Sequence, residues 1–149
     1  MTMKARECWN ILLSKAQRQL QDAQAGLARA QQTHQSLEQS LSRIEQLYSD
    51  YRAQAHTPAP ARQGMHDALN QRQFLAQLDQ LRTRLSDELQ KSAQACQQQR
   101  LALIEAERAR IKMQSLVDED LQHQRRLARA REQKSLDELG LRQFNLQRL

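Results

Sequence analysis

The side chains able to ligate a metal or act as nucleophiles are few: four histidines and two cysteines in 149 residues. A metal needs several donors converging on one point, so spacing decides whether these residues form a site. His34, His56, His66 and His123 show no metal-ligand spacing. His56 and His66 flank a proline-containing loop and are able to approach one another, but two ligands make an incomplete site. Cys8 and Cys96 are too few for a disulfide framework and read as small apolar side chains in a reducing compartment. No GxxxxGK[ST] loop, HExxH helix or nucleophile elbow is present. The three glycines lie far apart, so no phosphate-cradling loop is built from them. The expectation is a non-enzymatic protein with no cofactor and no metal. Its chemistry is then the chemistry of contact: apolar stripes and clustered charge.

The formal net charge is +6 and the pI about 9.9. That balance permits an acidic protein partner, a nucleic acid or an anionic membrane face. No aromatic interleaving, zipper-linked basic region or helix-turn-helix spacing supports nucleic acid, and none is expected as a partner. No stretch approaches the ~20 apolar residues that span a bilayer. The start, Met1 to Leu13, lacks a sustained apolar run before a small-residue cleavage site. A soluble, cytoplasmic protein without direct membrane insertion is expected.

The elements that must carry these contacts are helices. Aromatics are 3% of the chain, mean hydropathy is -0.87, and β-branched residues are scarce, so a broad core cannot be filled and strands are excluded. A narrow apolar seam can be filled. Leu13, Leu20, Leu27, His34, Leu41 and Tyr48 recur every seven residues, and Ala16, Ala23, Ala30, Leu37, Ile44 and Tyr51 recur three residues later. Trp9 extends the second series backwards. A seven-residue repeat keeps its apolar stripe on one side only when the helix supercoils with another helix. His34 is the polar, register-setting position. A first helix is expected over about 9–54, with Asn10 as a cap. Gly26 within it is a tolerated defect or a point of close approach or bending.

Residues 56–64 read HTPAPARQG and hold both prolines, which break a helix and mark the turn of a hairpin. A second helix follows over about 66–146, with no breaker before Gly140. Its opening stripe is Phe74, Leu78, Leu81 and Leu85; Leu89, Cys96 and Leu103 continue on a shifted phase, which reads as a stutter. Folding the hairpin at residue 61 sets Leu37 opposite Leu85, Leu41 opposite Leu81, Ile44 opposite Leu78, and Tyr48 opposite Phe74. Trp9 then lies near Met113. The expected fold is all-α: one domain over 1–149, an antiparallel two-helix coiled-coil hairpin. Its second helix overhangs from about Asp120. The overhang is basic, with Arg125, Arg126, Arg129, Arg131 and Lys134, yet it keeps Leu127, Leu136, Leu139, Leu141 and Phe144. An apolar stripe without a partner in its own chain calls for another molecule.

Three segments carry a family likeness: LEQSLSRIEQLYSDYRAQ, then ALNQRQFLAQLDQLRTRL after the loop, and REQKSLDELGLRQF in the tail. In order, spacing and total length the chain resembles the FliJ family, the soluble stalk component of the bacterial flagellar export apparatus. More distantly it is similar to the stalk proteins of virulence type III secretion systems. The resemblance implies a non-enzymatic antiparallel coiled coil similar to the shaft of rotary ATPases. It implies three partners: the hexameric flagellar export ATPase, the cytoplasmic domain of the export gate, and export chaperones. Peripheral association with the cytoplasmic membrane through the export apparatus goes with it. Phe74 and Leu78 match the stripe implied to contact the gate, and Leu81 and Leu85 continue it. Trp9 and the basic residues Arg125, Arg126, Arg129, Arg131 and Lys134 are implied to enter the ATPase ring. The alternatives are the equivalent virulence stalk and a generic coiled-coil scaffold.

Overall fold

A computed structural model of the chain describes residues 2–56 and 64–148, with side chains from residue 6 and excluding that of His56. Two helices account for it: α1, Thr2–His56, and α2, Met65–Gln147. No strand occurs among the described residues, and the two long helices pack against each other. α1 begins at Thr2 rather than near Trp9, because no glycine or proline interrupts residues 2–9 and Lys4, Ala5, Arg6 and Glu7 all tolerate a helix well. The prolines, Pro58 and Pro60, and the turn expected from them lie outside the described residues. At the start of α2 the Asp67 amide donates to the Gly64 carbonyl at 3.1 Å. The Asp67 carboxylate sits in the first turn, where exposed amides favour negative charge.

The chain divides into two compact units, Asp22–Ile104 and Met1–Gln21 with Glu105–Leu149. In Asp22–Ile104 every position of the expected first-helix seam from Ala23 to Tyr51 is buried or half-buried. The facing positions on α2 are Leu75, Leu78, Arg82, Leu85, Leu89, Ser92, Cys96, Gln99 and Leu103, again protected throughout. Their steps alternate between three and four without a break. The stutter expected between Leu85 and Leu89 is therefore absent: Arg82, Ser92 and Gln99 occupy seam places that apolarity alone passes over. Leu81, expected opposite Leu41, is instead 38% exposed.

The register differs from expectation by about one helical turn. Phe74 packs on Tyr51, with ring centroids 4.6 Å apart, rather than on Tyr48. Tyr48 lies beneath the Arg82 guanidinium, 4.5 Å from its ring centroid. Gly26 faces Gln99. These contacts run in opposite chain directions, so the pair in this unit is antiparallel. The shift sets Arg82 against α1, where its aliphatic stem covers the seam and its guanidinium reaches the Tyr48 ring.

In the unit Met1–Gln21 with Glu105–Leu149, Trp9, Leu13, Ala16 and Leu20 are protected on α1, with Ala16 only 5% exposed. Ala106, Arg110, Met113, Val117, Asp120 and Gln124 are half-buried on α2 with the same spacing. Trp9 shares a groove with Val117, Asp120 and Leu121 rather than lying at Met113. Gln124 is the last half-buried residue, and every residue from 125 to 148 is exposed.

Candidate interaction surfaces

The expected contact stripe near the start of α2 splits into two kinds of residue. Leu78 is 5% exposed and Leu85 half-buried, so both are held in the seam. Phe74 is half-buried against Tyr51 and Leu81 is exposed, so these two lie at the seam's edge. The helix brings all four onto one side, but only the flanking pair has surface left to offer. Beside them Arg82 is fixed by two neighbours. Its guanidinium donates to Asp79 Oδ1 at 2.6 Å, one turn back on α2, and stacks over Tyr48. Sequence reasoning missed Arg82 because a cation is counted as surface. The available signal was the pair of seven-residue steps linking it to Leu75 and Leu89.

His34 occupies the expected seam position. Its Nε2 lies 3.1 Å from Glu38 Oε1, while its Nδ1 is buried without a partner among the described residues. The antiparallel register sets it opposite Ser92, itself buried. His66 and His123 are exposed, the side chain of His56 lies outside the described residues, and no group of three or more His, Cys, Asp or Glu among the described residues is able to hold a metal ion. Cys8 is exposed and Cys96 buried, both as free thiols.

At Trp9 the groove is bounded by Arg6 and Asn10 on α1 and by Val117, Asp120 and Leu121 on α2. One apolar ring and two apolar side chains sit there between a cation and a carboxylate. Farther along α2, Arg125, Arg126, Arg129, Arg131 and Lys134 are all exposed, as are Leu127, Leu136, Leu139, Leu141, Phe144 and Leu146. The helix persists there through local bonds. Gln133 donates to Asp137 at 3.3 Å, and Arg148 lies 5.1 Å from the Phe144 ring centroid. At 100° per residue these apolar and basic side chains point all around the helix rather than to one face.

Two long helices joined by a heptad seam, with apolar and charged side chains left outside it, define a coiled-coil protein that acts through surfaces. No helix among the described residues is long and apolar enough to cross a membrane. Within that class, residues 10–149 match the family model described as Flagellar FliJ protein, and the chain belongs to the FliJ family. It is thus a stalk-type protein of flagellar export. No curated protein and no solved structure gives a significant match.

Proposed function

We propose that the chain is a non-enzymatic stalk that inserts residues 125–148 into the ring of the hexameric flagellar export ATPase, promotes its assembly and couples it to the export gate. The single observation that carries this reading is the segment 125–148: helical through Gln147, exposed along its whole length, and bearing apolar and basic groups around its full circumference. A partner covering one face would leave half of those groups in water. A ring meets a helix from every side. Its acidic loops would take the five basic residues Arg125, Arg126, Arg129, Arg131 and Lys134, in a salt-sensitive association. In this reading the segment is the overhang of the hairpin, and Trp9 sits at its root.

The gate contact falls to Phe74 and Leu81, the members of the stripe at the seam's edge, with Leu78 and Leu85 holding the helix that presents them. Export chaperones are a third class of partner, and the protein works on the cytoplasmic side of the membrane, bound there through the apparatus. The family description, which is flagellar, favours this setting over a virulence secretion system. Binding to a ring changes its behaviour only where affinity differs between ring states. The test is hydrolysis by the purified export ATPase at low salt, with and without the chain. Full-length protein is expected to raise the rate and the hexamer fraction, and a chain ending at Gln124 is expected to do neither. Folded full-length protein without any effect would refute the reading.

A further inference from the structure

Within Asp22–Ile104 the two flanks of the seam differ in kind. One flank is polar and, over residues 38–45 and 79–87, mostly acidic. It carries Glu38, Glu45 and Asp79, and its groove is lined by Glu45, Arg82, Thr83, Ser86 and Asp87. The other flank is apolar. Leu47 and Leu81 lie on it, each 38% exposed, and beyond them a groove of about 480 Å³ opens between the helices. Ala30, Leu37 and Ser92 form the floor of that groove, and Thr33 and Ala95 its walls. Thr33 donates its hydroxyl proton to the Arg29 carbonyl at 3.0 Å, so its polar group is satisfied within α1 and its methyl remains for an apolar neighbour.

The rim of the apolar groove has the opposite charge to the other flank. Heptad geometry sets Arg29 and Arg43 along its α1 edge and Arg84 and Lys91 along its α2 edge, all exposed. None of the four is in an ion pair among the described residues. Glu88 is the one carboxylate on the lining. An apolar trough with short walls admits a helix closely, and cations along both edges select its charge.

We propose that this flank is a docking groove for a third helix, an amphipathic segment of a partner protein whose apolar stripe is bordered by glutamate or aspartate. The acidic flank on the far side repels the same segment and so fixes which side it takes. A second copy of this chain is a poor occupant. Its exposed segment, 125–148, is basic, and its formal charge is +6, so cation would meet cation. The apolar flank shares Leu81 with the proposed gate contact, but the groove lining uses neither Leu81, Phe74 nor residues 125–148, so the test varies the groove and leaves the gate stripe and residues 125–148 intact.

The experiment uses the full chain and a fluorescein-labelled synthetic helical peptide with a single leucine stripe bordered by glutamates. A companion peptide carries lysines in place of the glutamates. Fluorescence anisotropy is expected to show binding of the glutamate peptide only. Ala95→Glu, and separately Arg84→Glu with Lys91→Glu, should weaken it by about 10-fold or more, a difference readily resolved in the dissociation constant. Ser86→Glu on the opposite flank should leave it unchanged. Circular dichroism confirms that each variant is helical, and the exposed-charge pair decides the matter if Ala95→Glu unfolds. The proposal is overturned by no binding, by equal binding of the lysine peptide, or by equal loss with Ser86→Glu. Self-association in sedimentation that Ala95→Glu abolishes would overturn it in favour of a second copy.

Discussion

Gly26→Ala tests how closely the helices approach within Asp22–Ile104. A methyl built at Gly26 would lie 2.7 Å from Gln99 Oε1, 3.4 Å from Gln99 Cδ and 4.0 Å from Gln99 Nε2, and it meets nothing else within 4 Å. The obstacle is the far end of a flexible side chain, not backbone. Alanine in place of a helical glycine stabilises by about 1 kcal/mol. Against this stands the displacement of Gln99, which costs about 0.5 kcal/mol if its terminal torsions are pushed off their preferred angles and less if they find another well. The gain is larger than the cost, so Gly26→Ala should stabilise the protein by roughly 0.5 kcal/mol. Urea unfolding followed by helical circular dichroism reads this as a higher midpoint with an unchanged slope. In a double-mutant cycle with Gln99→Ala, the alanine at 26 should recover its full gain of about 1 kcal/mol. Refutation would be a loss of about 1 kcal/mol or more that persists when Gln99 is truncated. That result would mean that the backbones themselves meet at Gly26.

Leu78→Ala should cost about 2–4 kcal/mol and Leu81→Ala at most about 0.5 kcal/mol in the same unfolding assay, because the first empties a seam place and the second leaves only an edge. Arg82→Ala should destabilise by roughly 1 kcal/mol, losing its stem and the Tyr48 contact, whereas Asp79→Ala should change stability by no more than about 0.5 kcal/mol because that pair is well exposed. Arg82→Leu should be neutral or mildly stabilising, since a leucine suits the seam. Ending the chain at Gln124 should leave the unfolding midpoint close to that of the full chain while removing stimulation of the export ATPase, read by phosphate release.

The α1 seam was legible in the sequence because apolar residues fill all of its places except His34. The helix on the other side was harder. Arg82, Ser92 and Gln99 hold seam places in Asp22–Ile104, and Arg110 and Asp120 do so in the other unit. Apolarity alone therefore slides to Leu81, invents a change of phase and moves the register by about a turn. What decides the matter is the amphipathic build of Arg82: its carbon stem behaves as seam and its guanidinium as surface. The basic residues from Arg125 to Lys134 were legible by charge, and they stand exposed. Within the stripe Phe74 to Leu85, the division between Leu78 inside and Leu81 outside was not legible, because two adjacent leucine spacings both suit a helix until a partner fixes the phase. The asymmetry of the two flanks was likewise hidden, since it depends on which residues border the seam once its register is known.

The two thiols differ in a way that makes the molecule its own reporter. Cys8 stands in solvent and Cys96 is 6% exposed between the helices. A maleimide dye should therefore attach at once to the first and reach the second only when the helices part. The lag between the two additions clocks separation of the helices in the native protein, and anything that grips the stalk should lengthen it.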